Sequence, residues 1–510
     1  MFSSGWLVYL GCGLPLLWIL VIVVQNVFFH PLSSFPGPLL ARASLLWRFW
    51  STLGGTFHKD LYKIHDRYGP VVRISPNELS FASLGSWKDI YGFPTHGQDP
   101  MIKSNFYKLL RSGFDSGCIG CEQNPDEHRR MKSSLSAAFS TKALLEQEYI
   151  VNRVIDSFVD KIGSEVKAKG HVDMAKWFEM MAFDLMGEMT FGESFQCIEN
   201  GERHSWIKLI LDHLFFVTVA DNLRRLAIFN TFAMYLAPLV NIVQKEHIQF
   251  TREKVRRRLE SKSPRKDFVT NLVSKVDSGE ISIEELSAHS STLIIAGGET
   301  VASSMSGLLF CLLSPSSAKS YSILRQEVRS RFSKYSDIDF MSIQKLPYLQ
   351  AVIKEGLRTF SNGHPLPRVC PGRRIDGVWV PAGTEVYTSP WPVNHNPEYF
   401  TRPLEFLPER WLDSSRENSE FTADILNASQ PFQLGPRGCL GRNFAMMEIS
   451  LSLAKLVWKY DLELANPNDD WADHVKIHVL WWKPELAIRV TDVAGSLDTI
   501  EDVNGVQGLI

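Results

Sequence analysis

The segment FQLGPRGCLGRNFAMMEISLSLAKLVW, Phe432 to Trp458, constrains the fold of this chain more than any other stretch. Glycines at 435, 438 and 441 surround Cys439, and an apolar helical periodicity begins at about Asn443. A cysteine in a Gly-rich turn that enters a helix N-terminus is suited to holding sulfur as an anion, because turn amides and helix dipole both favour negative charge. Gly435 and Gly441 let the backbone wrap closely around that sulfur and lie flat against a planar ligand. Arg437 places a fixed cation two residues from the cysteine, where a carboxylate can meet it. Phe432 can shield the sulfur from water and so tune its electron donation.

Four upstream segments extend the pattern. Ser282 to Leu313 reads as a long apolar helix with an S-x-x-E capping box at Ser282 and Glu285, ending at Ser314-Pro315. Its middle carries AGGETVASS, Ala296 to Ser304, and two adjacent glycines inside a helix cost about 1 kcal/mol each relative to alanine. KEGLR puts Glu355 and Arg358 one turn apart on one helix face, and FLPERW supplies Arg410 further on. EHRRMKSSLSAAFS, Glu127 to Ser140, reads as a helix whose His128 and Lys132 share a face.

The F-x-x-G-x-R-x-C-x-G spacing resembles the haem-binding signature of cytochromes P450, and the other segments follow in that family's order. The likeness runs from about Phe35 to about residue 490. RYGPVVRISPNELSFAS and SWKDIYG are similar to fungal microsomal members of secondary metabolism, of the isotrichodermin hydroxylase type. The resemblance implies a mainly α fold with a smaller β region. It implies haem b between the Thr300 helix and the loop of Cys439, which would be the axial thiolate ligand to iron. Arg437, His128, Lys132 and Arg368 would meet the haem propionates. The glycine pair would kink the helix to admit dioxygen, with Thr300 steadying bound oxygen and Glu299 relaying protons. Glu355, Arg358 and Arg410 would form a buried network serving folding and haem retention. The chain departs from the family's commoner pattern at Glu299, at Val301 and at Lys132.

Residues Trp6 to Val24 carry no charge and are long enough to cross a hydrocarbon core of ~30 Å. The first basic residues, Arg42, Arg48, Lys59 and Lys63, all follow the span, which places the bulk of the chain on the cytoplasmic side. The reading is one transmembrane helix in residues 1–30, a Pro-rich hinge, and a single catalytic domain in 31–510 on the cytosolic face of the endoplasmic reticulum. The 54 basic and 56 acidic residues nearly cancel, which speaks against a nucleic-acid partner. Seven cysteines, an odd number in no framework, read as reduced thiols. Cys118 and Cys121 form a C-x-x-C but lack the second pair that a structural zinc site needs, so they read as loop thiols.

The reaction class expected is therefore a monooxygenase acting on a hydrophobic secondary metabolite with O2. The chain has no dinucleotide fingerprint of its own, so electrons would come from NADPH–cytochrome P450 reductase on the same membrane. The competing readings are a haem-thiolate isomerase or dehydratase needing no reductase, and a non-catalytic haem-binding protein. Substrate-facing candidates are Phe106–Ile119, His213–Thr218, Leu293, His364–Leu366 and Val479–Trp481, mainly apolar and aromatic.

Overall fold

The computed structural model describes residues 14, 16–95, 97–110, 113–226, 229–261, 265–361, 364–413 and 419–493. Residues 1–13 and Pro15, and with them much of the expected membrane span, lie outside the described residues. Seven helices carry the site: α1 (Pro125–Ser136), α2 (Thr141–Lys169), α3 (Met174–Phe191), α4 (Ser205–Leu223), α5 (Ile283–Leu313), α6 (Pro347–Thr359) and α7 (Arg442–Lys459). Helices make up most of the described chain, as expected, and the strands are short.

Helices α3 and α5 form the centre. Every residue of α3 except Lys176 is buried, the pattern of a helix packed on all sides. It starts where the Asp173 side chain accepts the Lys176 amide and stops at Gly192, in the left-handed region at φ 75°. It runs against α5, which also packs on α6 and α7. Helix α5 is continuous through Gly297-Gly298. The glycine pair has a packing cause here: a Cβ on Gly297 would stand 2.3 Å from Met186 Sδ of α3. Close helix approach explains one glycine without any kink. A Cβ on Gly298 would make only ordinary contact, 3.5 Å from Phe183.

The expected capping box on α5 is half present. Ser282 Oγ accepts the Glu285 amide at 3.1 Å. The Glu285 carboxylate instead turns to Arg130 of α1, at 2.8 Å, so a tertiary ion pair displaces the local one. Among the described residues α5 alone is long and apolar enough to cross a membrane, but 72% of its apolar window is buried, which makes it the core helix. A shorter apolar helix, Leu16–Phe29, exposes Leu16, Leu17, Trp18 and Ile19.

The larger sheet joins β1 (Val71–Ser75), β2 (Glu78–Phe81), β3 (Ile102–Lys103), β4 (Arg368–Val369) and β5 (Glu385–Thr388) in the order β1-β2-β5-β4-β3. Only β2 and β5 run parallel. The β3–β4 register sets Lys103 directly opposite Arg368. A hairpin of β6 (Lys476–His478) and β7 (Leu480–Trp482) turns at Val479, which sits at φ 70°.

Glu355, Arg358 and Arg410 come together fully buried. Arg358 grips Glu355 with two bonds of 2.9 and 2.7 Å, and Arg410 reaches it at 3.1 Å. The carboxylate also accepts the Leu407 amide at 2.9 Å and Trp411 Nε1 at 2.8 Å. Arg410 pairs in addition with Asp424. Arg358 donates to the carbonyls of Asn394, Pro403 and Glu405, so α6 is clamped to the loops around it. Replacing Glu355 with alanine strands two buried guanidinium groups, and a loss of about 3–5 kcal/mol is expected. Denaturant unfolding measures it; a change below about 1 kcal/mol, the size of a surface-pair effect, would show that the network carries no load.

Candidate active site

The cysteine loop takes its shape from backbone bonds. The Cys439 amide donates to Phe432 O at 2.8 Å, and the Gly438 amide to Gly435 O at 3.1 Å. Gly435 has φ 69°, and a Cβ there would lie 2.1 Å from the Tyr91 carbonyl oxygen, so this position admits only glycine. At Gly441, the residue that caps α7, a Cβ would meet no protein atom within 4 Å. The sulfur-bearing residue is itself solvent-accessible, although the thiol is otherwise enclosed by protein. Burial raises its pKa, against the Gly441 amide and the charges of Lys132 and Arg442. An exposed cysteine three residues before the start of an 18-residue helix fits a metal-binding thiolate.

Beside it lies a group of cations. Arg437 donates to the carbonyls of Glu122 (2.6 Å) and Gln123 (2.8 Å). Arg368 donates to the Tyr107 hydroxyl at 2.6 Å. Lys103, across the strand pair from Arg368, donates to the carbonyls of Ile119 (3.0 Å) and Gly120 (2.7 Å). Burial first, then Arg437 and Arg368, brings the Lys103 ammonium down to about 7. Burial followed by Arg437, Lys103, Lys132 and Arg368 holds His128 at about 3. Burial and Arg368 lower Arg437 to about 10. Among the described residues none of Lys103, Arg368 and Arg437 makes an ion pair with a carboxylate, and Glu122 acts on Arg437 only through space. Like charges directly opposite on adjacent strands repel, and an anionic group would relieve that repulsion.

Lys132 stands apart. It shares a face of α1 with His128, as the spacing predicts, but its Nζ donates to Pro436 O at 2.7 Å, and its charge acts on Cys439. That puts it against the cysteine loop rather than with Lys103 and Arg368.

On α5 Thr292, Ala296 and Thr300 stay at least partly accessible, as do Ile295 and Gly297, while Leu293, Ile294, Gly298, Glu299 and Val301 are buried. Thr300 Oγ1 donates back to the Ala296 carbonyl at 2.5 Å. Glu299, the next residue round the helix, is buried and faces elsewhere. It pairs with Lys483, accepts from Ser303 Oγ at 3.0 Å, and lies near Glu179, which Lys483 reaches at 3.1 Å. Burial raises the Glu299 carboxyl to about 7 against the opposing pull of Lys483. No hydrogen bond joins Glu299 to Thr300 among the described residues, so the two groups expected to act in one relay lie on different faces.

Four of the five substrate-facing segments converge. Phe106, Tyr107 and Val217 form a buried apolar cluster with Leu109, Leu110, Leu366 and Val479 packed against it. His364 stacks on Phe106 at 5.3 Å. Leu293 belongs to the main core instead; it lies on the packed side of α5.

A family model described as cytochrome P450 matches residues 36–487. Cytochrome P450 monooxygenase ORF9 of Penicillium roqueforti is 54% identical over 93% of this chain and 92% of its own length. Cytochrome P450 monooxygenase BOT4 of Botryotinia fuckeliana is 47% identical over 91% and 87%. The trichothecene C-15 hydroxylase of Fusarium sporotrichioides is 34% identical over 94% and 97%. The chain belongs to the cytochrome P450 family, among fungal monooxygenases of secondary metabolism, and is an oxygen-incorporating oxidoreductase. The family implies a haem-thiolate cofactor, and the accessible Cys439 together with the unpaired cations fits that group.

Sequence reasoning missed Lys103, Lys483 and Glu179. Lys103 sits in a two-residue strand and Lys483 in a loop after β7, so neither shows a motif. Because Glu299 binds its proton more tightly in the folded state, its burial is a cost that grows as pH rises from 4.5 to about 7. Wild-type stability should therefore decline across that window more steeply than that of Glu299→Gln; parallel pH profiles in denaturant titrations would show that the carboxyl does not titrate there.

Proposed function

We propose that this monooxygenase hydroxylates a hydrophobic secondary metabolite at a haem b held by Cys439, drawing electrons from NADPH–cytochrome P450 reductase. The observation that carries the reading is the exposed Cys439 in the loop of Arg437, where Arg437, Lys103 and Arg368 make no ion pair with a carboxylate among the described residues. When bound, the haem supplies oxygen activation at its iron, with the thiolate donating electron density. Cys439 ligates, and the Gly441 amide and the α7 N-terminus hold its negative charge. Arg437, Arg368, His128 and Lys103 receive the propionates, Lys132 supports the cysteine loop, and Phe432 with Gly435 shapes it. Thr300 Oγ1, which donates to the Ala296 carbonyl, would be the hydroxyl able to present a proton on the accessible face of α5. Glu299, with a carboxyl near neutrality, takes up and releases protons at working pH. Phe106, Val217, Leu366 and Val479 exclude water and favour an apolar substrate.

The N-terminal region supports a membrane anchor in residues 1–30 with the catalytic domain, 31–510, on the cytosolic side of the endoplasmic reticulum. Beyond the exposed Leu16–Val21 run, Phe28, Phe29, Leu39, Leu40, Leu46 and Trp50 are also exposed, a patch of the kind that marks a lipid-facing surface.

Cys439→Ser should lose the Soret band diagnostic of thiolate ligation in the reduced, carbon-monoxide-bound protein; a wild-type spectrum without that band refutes the ligand assignment. Thr300→Ala should lower product formed per NADPH by about a hundredfold or more, in the range of lost proton-transfer catalysis, with hydrogen peroxide released instead. Unchanged coupling removes Thr300 from the relay, and turnover without NADPH or reductase favours an isomerase.

A further inference from the structure

The loop that carries Cys118 and Cys121 does two things at once. Its two thiols face each other, Sγ to Sγ at 3.0 Å, both buried. They occupy the first and last positions of a hydrogen-bonded turn, with the Cys121 amide donating to Cys118 O at 3.1 Å. Such a turn keeps its end Cα atoms within ~7 Å, overlapping the ~4.4–6.8 Å that a disulfide requires. The thiols lie against Ala288 of α5, and His289 Nδ1 accepts the Ile119 amide at 3.3 Å. No group of three or more His, Cys, Asp or Glu side chains able to hold a metal occurs among the described residues.

The same loop supplies the carbonyls that hold two of the buried cations. Ile119 and Gly120 hold Lys103, while Glu122 and Gln123 hold Arg437. The Gln123 side chain closes the arrangement, donating to the carbonyls of Lys103 (2.7 Å) and Ser104 (3.0 Å). Any change in the 118–121 turn is therefore transmitted directly to the two cations.

We propose that Cys118 and Cys121 are a peroxide-oxidisable dithiol whose disulfide resets the Lys103 and Arg437 cradle. Cys118 is the attacking group, because the Cys121 thiol donates toward it and draws its pKa down to about 6. The Cys118 thiolate attacks one oxygen of hydrogen peroxide; an S–O bond forms, the O–O bond breaks, and the leaving hydroxide is protonated to water. Cys121 Sγ then attacks the sulfenic sulfur; the S–S bond forms, the S–O bond breaks, and the Cys121 proton leaves with hydroxide as a second water. Two thiols lose two electrons and two protons, and one peroxide becomes two waters. Hydrogen peroxide is the by-product expected when an oxygenase reduces oxygen without oxidising substrate. The chemistry of the thiols does not depend on the haem assignment; only the cradle readout rests on it.

The test uses full-length, haem-loaded protein, reduced and then treated with hydrogen peroxide. Tryptic cleavage after Arg111 and Arg129 isolates both thiols in one peptide, residues 112–129. That peptide should lose two hydrogens in mass, resist alkylation, and recover on addition of dithiothreitol. Cys121→Ser should stop at a sulfenic acid on Cys118 that dimedone traps. Haem transfer to an apo-globin acceptor should change by about fivefold on oxidation, the size of one displaced hydrogen bond, in wild type and not in Cys118→Ser/Cys121→Ser. Full alkylation of both thiols after peroxide overturns the proposal. So does a disulfide that forms while haem transfer stays the same in a protein whose spectrum establishes thiolate ligation. A missing thiolate band with an intact disulfide would fault the haem reading and leave the dithiol chemistry standing.

Discussion

Holding negative charge in an apolar interior is the constraint around which this protein is organised. A thiolate inside a protein is strongly disfavoured unless donors surround it, and burial alone moves Cys439 the wrong way. The chain answers with the start of α7, the Gly441 amide and the nearby Lys132 and Arg442. The neighbouring cations present the opposite problem: Lys103, Arg368 and Arg437 lie so close that each lowers another's pKa or His128's. Among the described residues the protein gives these cations carbonyl and hydroxyl acceptors but no carboxylate. A ligand carrying a metal and carboxylates would answer both problems, and its binding would then contribute to folding energetics as well as to chemistry.

The Glu355 network solves the converse case, in which every charge is satisfied by protein. One carboxylate accepts from two arginines, an indole and an amide, while Arg358 reaches three loop carbonyls and Arg410 reaches Asp424. Buried ion pairs are weak evidence of net stability but strong determinants of geometry, because breaking one leaves a charge stranded. Here the geometry so determined includes the loops at 394–405 and 407–411, far from α6 in sequence.

Much of this was legible in the residues. The Gly-rich turn, the helix after it and the Glu355–Arg358–Arg410 partnership are encoded by local spacing or by fixed motifs. The packing role of Gly297 was not, since it depends on Met186 of another helix. Nor was the fate of Glu285, whose capping geometry is available locally but is outcompeted by Arg130 across the molecule. Lys103 was invisible because its meaning comes from a cross-strand partner at Arg368, set by sheet register alone. The apolar lining was legible as segments and illegible as a pocket: nothing in a single segment says that Val217, Leu366 and Val479 meet.

Helix geometry then divides labour on α5. Successive residues point about 100° apart, so Thr300 can keep an accessible face while Glu299 is buried against Lys483 and Glu179. A carboxyl placed with Thr300 would sit beside the ligand and remain open to it continuously. Set on the adjoining face, and tied to a lysine, it can exchange protons with the site only when that ion pair loosens. The pairing of Glu299 with Lys483 thus sets a buried carboxyl and a partly accessible hydroxyl on adjoining faces within one turn of helix. That separation suits an enzyme in which protons arriving without a bound substrate waste electrons as peroxide.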